Sequence, residues 1–150
     1  MTKRNKIIYW AATIWLALGM TVTGVGQLIK MKAGAGGTDS VTHLGYPVYI
    51  LTILGVWKML GVVTVLMPRF PLMKEWAYAG FFFLMTGAVS SHFAKGDPAT
   101  EFLGPALLLI LTGVSWYFRP SDRRVTFSES IKEGYKQHED QKGQVVARTT

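Results

Sequence analysis

Four long apolar segments, separated by short polar ones, dominate the pattern of hydrophobic and polar positions. They cover about residues 7–29, 46–67, 76–94 and 102–118. Each holds about 17 to 23 residues, enough for an α-helix to cross the roughly 30 Å hydrocarbon core of a bilayer. The pattern therefore predicts an all-α fold: a polytopic membrane protein built as an antiparallel bundle of four transmembrane helices.

The breaks between the segments favour helix ends at the same places. Pro68-Arg69-Phe70-Pro71 ends the second segment, because proline lacks a backbone N–H and restricts the residue before it. Lys95-Gly96-Asp97-Pro98 predicts another turn. Pro105 falls in the first turn of the fourth segment, where a missing N–H matters least. Residues 30–43 are rich in glycine and predict a flexible loop.

Polarity divides the chain into two regions. Residues 1–118 form the predicted four-helix transmembrane domain, and residues 119–150 form a polar tail of mixed charge for which we predict disorder. The first segment follows a basic N-terminus, as in a signal peptide. Its uncharged run from Ile7 to Ile29 is longer than the roughly 7–15 residues of a signal-peptide apolar region, so we expect a retained helix.

Lysine and arginine near the segment ends predict the orientation. One side of the bundle would carry Lys30, Lys32 and Lys95, and the other would carry Lys3, Arg4, Lys6, Arg69, Lys74, Arg119, Arg123 and Arg124. The side richer in lysine and arginine is normally cytoplasmic. The sequence therefore predicts a multi-pass protein of the inner (cytoplasmic) membrane with both termini in the cytoplasm.

Charge and composition narrow the chemistry. The net charge is +7, but the basic residues flank apolar spans, where they contact the lipid bilayer, so we expect no nucleic acid as partner. The absence of cysteine excludes disulfides, iron–sulfur clusters and thiol redox chemistry within the chain. No phosphate-binding loop, dinucleotide fingerprint or Ser–His–Asp order is present. We predict no catalytic residue and no enzyme acting on its own.

Lys58 is the one charged residue inside the second segment. It lies roughly 13 Å from the inner end of its helix, near the bilayer centre. Gly55 and Gly61, three residues away on either side, would let another helix approach, so we expect Lys58 to face the bundle. No carboxylate lies at its depth. Two interpretations stay open: a structural lysine bonded to hydroxyl or carbonyl oxygens, and a lysine that handles a ligand or a proton.

Other polar residues gather near the segment ends. A group on the outer side comprises His43, Ser90-Ser91-His92, Asp97 and Glu101. Imidazole and carboxylate together could relay protons or bind a divalent metal, but the spacing matches no defined metal motif, and we predict no metal site. Glu75 lies at the start of the third segment, and a carboxylate at the N-terminus of a helix interacts favourably with the helix dipole.

Several blocks of sequence resemble the DoxX-like family over roughly residues 7–120. They are Lys58-Met59-Leu60-Gly61, Pro68-Arg69-Phe70-Pro71, Lys74-Glu75-Trp76-Ala77-Tyr78-Ala79-Gly80, and Ser91-His92 with Gly96-Asp97-Pro98. The first-helix block departs from the family at Gln27, where a lysine is common. The resemblance implies a four-helix membrane protein, and relatives include a subunit of a thiosulfate:quinone oxidoreductase and an animal receptor-assembly chaperone.

Burial and charge favour Lys58, Glu75 and His92 as ligand-binding residues, and the resemblance implies these three together with Tyr78 and Ser91. Trp57 completes the predicted set of ligand-binding residues. The first functional hypothesis is an accessory or binding subunit, such as a subunit of a membrane oxidoreductase. Its intramembrane pocket around Lys58 would take a quinone or another lipophilic small molecule, with Trp57 as an aromatic wall of the pocket. The second is a structural or chaperone-like protein that docks onto a partner membrane protein or forms a homo-oligomer. The third is a small transporter or channel built as an oligomer.

Overall fold

The computed structural model of the chain describes residues 2–34, 36–123, 135–139 and 141. These residues contain no β-strand, which confirms the all-α prediction. The helices of the main body are α1 (Lys3–Leu28), α2 (Thr38–His43), α3 (Tyr49–Leu66), α4 (Pro71–Lys95) and α5 (Ala99–Tyr117), followed by a 3₁₀ turn at Ser121–Arg123.

Three of the four long helices are long and apolar enough to cross a membrane, namely α1, α3 and α5. The fourth, α4, has 25 residues but is not among them. Its ends are more polar, with Lys74 and Glu75 in the first turns and Ser90, Ser91 and His92 near the last. The three apolar helices indicate a membrane protein.

The long helices contact one another in a ring. Helix α1 packs against α3 and α5, and α4 packs against the same two helices. The core between them is formed by Leu16, Ala17, Met20, Val62, Val65, Tyr78, Phe81 and Met85. Many large apolar side chains instead point outwards, including Trp15, Phe83 and Leu107. An apolar outer surface of this kind is what contact with lipid requires.

Helices α1 and α3 approach each other closely at two glycines, Gly24 and Gly55. A Cβ atom added to Gly55 would lie 2.9 Å from the carbonyl oxygen of Gly24 and 2.8 Å from Cγ of Leu28. Real Cβ atoms do not come that close to a backbone oxygen, so the two helix backbones touch only because Gly55 has no side chain. The spacing around Lys58 was expected to permit such an approach, and at Gly55 it does.

The connections differ from the predicted ones in two places. Part of the predicted flexible loop forms α2, whose start is fixed by a hydrogen bond from the Thr38 N–H to the Met31 carbonyl, 2.8 Å long. At the other end, packing continues past the predicted boundary at residue 118. Arg119 is only 3% exposed, and the turn Ser121–Arg123 contacts α4. Apart from 119–123, 135–139 and 141, the tail predicted to be disordered lies outside the described residues.

Candidate functional site

Lys58 lies in the middle of α3 and is 4% exposed. Its ammonium donates one hydrogen bond, 3.1 Å long, to the hydroxyl oxygen of Thr23 on α1. Thr23 in turn donates its own proton to the carbonyl of Gly19, 2.9 Å away. An ammonium has three N–H donors, and within the described part of the chain Lys58 has only this hydroxyl as acceptor and no carboxylate.

The neighbouring Trp57 points elsewhere. It is 66% exposed, so its ring lies on the outward face of α3. Consecutive helical residues are separated by about 100° around the axis, which follows from 3.6 residues per turn. The indole therefore does not form a wall beside the buried ammonium of Lys58, and the two predicted site residues face different surroundings.

Glu75 and Arg119 form an ion pair at the end of the protein that contains the start of α4. Glu75 also accepts a hydrogen bond from the indole N–H of Trp116, 2.9 Å long. The guanidinium of Arg119 lies 5.2 Å from the ring centre of Tyr78, within the range of a cation–π contact. Glu75 is thus held by Trp116 of α5 and by Arg119, which follows α5.

Tyr78 belongs to a chain of buried hydroxyls that joins three helices. Thr13 of α1 donates to the Tyr9 carbonyl at 2.6 Å, so its oxygen must accept from Ser115 of α5, 2.7 Å away. Ser115 has then used its proton and must accept from Tyr78 of α4, also 2.7 Å away. The direction is therefore fixed from Tyr78 to a backbone carbonyl, and the phenol proton of Tyr78 is used inside the protein.

The opposite end carries a carboxylate between two imidazoles. Asp97 follows α4, and its Oδ2 lies 2.7 Å from Nδ1 of His92, while its Oδ1 lies 2.7 Å from Nε2 of His43 on α2. Hydrogen bonds from His43 and His92 lower the pKa of Asp97 below its ordinary value. Within the described ranges, no group of three or more such side chains is arranged to hold a metal ion.

This lowered pKa predicts how stability depends on pH. A carboxylate with a lowered pKa stabilises the fold above its ordinary value of 3.8, and the contribution disappears as pH falls through the lowered folded value. We expect Asp97→Asn to lower the melting temperature by a constant amount above about pH 5 and by progressively less below pH 4. Melting curves of both proteins between pH 3 and pH 7 test this. A difference that widens below pH 4 would contradict the carboxylate's role.

Ser91 lies at the same end and bonds to the segment after α2. Its hydroxyl donates to the Gly87 carbonyl at 2.8 Å, so it accepts from the Tyr46 hydroxyl at 2.9 Å. Beside this contact is an open cleft of about 300 Å³ lined by Leu44, Tyr46, Ser90, Ser91, Ala94 and Lys95.

A sequence model of the DoxX-like family matches residues 11–115. The chain belongs to the DoxX-like family. This finding confirms the resemblance drawn from the sequence, and membership is consistent with a membrane protein of unassigned activity. No curated protein and no solved structure matches the chain.

Five of the six predicted ligand-binding residues of this DoxX-like protein occupy three places. Lys58 lies mid-helix with Thr23; Glu75 and Tyr78 lie at one end; Ser91 and His92 lie at the other. Trp57 faces outwards. Two polar residues with large roles were counted in the sequence only as end-of-span charges, namely Lys74 and Arg119, which are both buried. The sequence signal that could have identified the role of Lys74 is its position four residues after Pro68-Arg69-Phe70, from which its side chain can reach back to the end of the preceding helix.

Proposed function

We propose that this DoxX-like protein crosses the membrane four times as an antiparallel bundle. The ends of the helices support the arrangement. Lys74, at the start of α4, donates to carbonyls at the end of α3, and Ser115, near the end of α5, bonds Thr13 in the N-terminal half of α1. Glu75 at the start of α4 also pairs with Trp116 near the end of α5, while residues 96–98 join the end of α4 to the start of α5. If α5 spans, α4 therefore joins opposite faces too, and its 25 residues reach about 37 Å, enough to do so.

The lysine and arginine distribution supports cytoplasmic termini, with His43, Asp97 and the cleft on the outer side. We expect single cysteines at Gly34 and Gly96 to react with an impermeant thiol reagent in intact cells, and a cysteine at Thr2 to react only after lysis. The native chain has no cysteine, so background labelling is low. Labelling of Thr2→Cys in intact cells would overturn the orientation.

The proposed activity is binding of a lipophilic molecule at Lys58, by an accessory subunit of a membrane assembly. The observation that carries it is the buried ammonium with a single described acceptor, the Thr23 hydroxyl. A cation in a transmembrane helix is expensive and needs oxygen partners. A carbonyl or anionic oxygen of a quinone-like ligand would supply another acceptor. Trp57 faces outwards, so in this proposal it contacts lipid and Lys58 alone anchors the ligand.

Lys58→Met tests this site. Methionine keeps the length of the side chain and removes a buried charge, and an apolar replacement of a buried charge is often neutral or stabilising. We expect the melting temperature in detergent to stay equal or rise. Native mass spectrometry should show that the lipophilic ligand retained by the wild-type protein is lost.

Thr23→Val is the matched control, because it removes the hydroxyl acceptor and keeps the ammonium. If Lys58 has only a structural role, Thr23→Val should lower the stability of the fold. If Lys58 binds a ligand, the Thr23→Val protein should still retain that ligand. Unfolding of Lys58→Met, or unchanged ligand content in it, would contradict the proposed site.

Docking onto another membrane protein is a second candidate function. Gly80 and Gly87 lie seven residues apart on the exposed surface of α4, and a Cβ atom at either position would meet no atom within 4 Å. Small residues on a lipid-facing surface permit close approach of another helix. Native mass spectrometry of the same sample separates the two functions, because docking between copies appears as an oligomer without added ligand mass.

A further inference from the structure

The cleft beside α4 is lined by two polar side chains that have no partner among the described residues. Lys95 and Ser90 both line it, and neither side chain has a hydrogen bond or ion pair among the described residues. The other two hydroxyls of the cleft are engaged, since Tyr46 donates to Ser91 and Ser91 donates to the Gly87 carbonyl. The donors that remain available are therefore one ammonium and one hydroxyl.

No described carboxylate neutralises Lys95. The nearest one in the chain is Asp97, whose two oxygens each face an imidazole, of His43 and His92. The cleft thus has a positive charge, a free hydroxyl and apolar walls from Leu44 and Ala94. It also lies at the end of α4, where the helix would leave the hydrocarbon in the proposed multi-pass arrangement.

We propose that this cleft binds the headgroup of an anionic phospholipid. The phosphate oxygens would accept hydrogen bonds from the Lys95 ammonium and the Ser90 hydroxyl, and the glycerol end of the acyl chains would contact Leu44 and Ala94. A lysine near an anionic membrane surface contributes to binding through its charge. A shallow, open cleft with mixed walls suits an amphiphile that remains partly in the bilayer. This inference rests on the proposed multi-pass arrangement but not on which side is cytoplasmic.

The test uses the full chain, purified and stripped of lipid, in mixed micelles that contain phosphatidylglycerol or phosphatidylcholine. Titrations followed by native mass spectrometry give the affinity for each lipid. We expect phosphatidylglycerol to bind more tightly than phosphatidylcholine. Lys95→Gln should weaken phosphatidylglycerol binding about fivefold, the loss that one surface lysine contact is worth. Ser90→Ala should weaken it less.

Lys32→Gln is the matched control, because Lys32 is an exposed lysine at the same end of the protein that does not line the cleft. Its affinity should equal that of the wild type. An equal loss in Lys32→Gln and Lys95→Gln would overturn the site, since it would reflect general surface charge. Equal binding of the two lipids would overturn it too.

Inorganic phosphate distinguishes a lipid from a free anion. Phosphate alone at millimolar concentration should not compete with phosphatidylglycerol; full competition would overturn the assignment to a lipid. Failure here is separable from failure of the proposed topology. Labelling of Thr2→Cys and Gly96→Cys from the same side of the membrane would overturn the multi-pass arrangement, while lipid binding that does not depend on Lys95 would overturn only this assignment.

Discussion

Gly55→Val should lower the free energy of unfolding by about 3 kcal/mol, at the upper end of the cost of overpacking a core. The first added carbon would lie 2.9 Å from the Gly24 carbonyl oxygen. That oxygen belongs to the backbone of α1 and cannot rotate away, so the two helices must separate. Loss of about 3 kcal/mol corresponds to a melting temperature lower by roughly 6–12 °C. Tryptophan fluorescence during heating in detergent measures it.

Gly80→Val is the control for this substitution. It makes the same chemical change in another long helix, so it carries the same change in helix propensity, but no atom lies within 4 Å of the added Cβ. We expect its melting temperature to stay within about 2 °C of the wild type, since exposed substitutions change stability little. Equal losses in the two variants would show that the contact between α1 and α3 is not limited by Gly55.

The same contact matters for the proposed ligand site. Lys58 lies three residues after Gly55, and a Cβ atom on Gly24 would lie 3.2 Å from Cβ of Lys58. Separation of α1 from α3 should therefore also change the shape of the space between these helices around the Lys58 ammonium. Loss of ligand in Gly55→Val together with loss of stability would fit this geometry, while Lys58→Met should lose the ligand alone.

Features with a helical period could be predicted from the sequence. The four apolar segments correspond to α1, α3, α4 and α5, although helix α1 begins at Lys3 and α4 at Pro71, several residues before the predicted spans. Lys58 was predicted to face the bundle because glycines flank it at helical spacing, and it is buried. Which face of a helix is buried depends on the spacing of residues along that helix, and this spacing can be read from the sequence.

Features that depend on contacts between distant segments could not be predicted. The hydroxyl chain joins Tyr78 to Ser115 and Thr13, and Ser115 lies 102 residues from Thr13. Serine and threonine occur in many transmembrane helices, so neither residue type marks such a chain in the sequence. The face of Trp57 was missed for a related reason: its interpretation as a wall of the Lys58 site came from adjacency in sequence, whereas adjacent helical residues point in different directions.

Lys74 and Lys58 are two buried lysines for which we expect opposite results. Lys74 is 0% exposed, and its ammonium donates to three backbone carbonyls at the end of α3: those of Thr64 at 2.8 Å, Val65 at 2.7 Å and Met67. The last carbonyls of a helix have no partner within it. Lys74 therefore supplies the end of α3 with donors from the start of α4, whereas Lys58 has one hydroxyl partner.

Lys74→Met should consequently lower the free energy of unfolding by about 3 kcal/mol, because hydrogen bonds to a charged group are lost and buried carbonyls are left without a donor. The hydrogen bonds of Lys74 connect the two sides of the turn between α3 and α4, and loss of support for this turn adds to the loss of stability. Arg69 and Phe70 both have positive φ, 68° and 55°, a conformation that costs energy for residues other than glycine. Contacts on either side of the turn hold it in place.

Melting curves of Lys74→Met and Lys58→Met, measured side by side in one detergent, test this contrast. The two variants make the same chemical change at two buried sites, so a general effect of removing a buried charge is cancelled between them. Lys74→Arg is informative as well: it keeps the charge, but a planar guanidinium cannot direct its donors to the three carbonyls as an ammonium does, so we expect an intermediate loss. If Lys74→Met melts at the wild-type temperature, the carbonyls at the end of α3 find other donors, and the turn between α3 and α4 does not depend on the lysine.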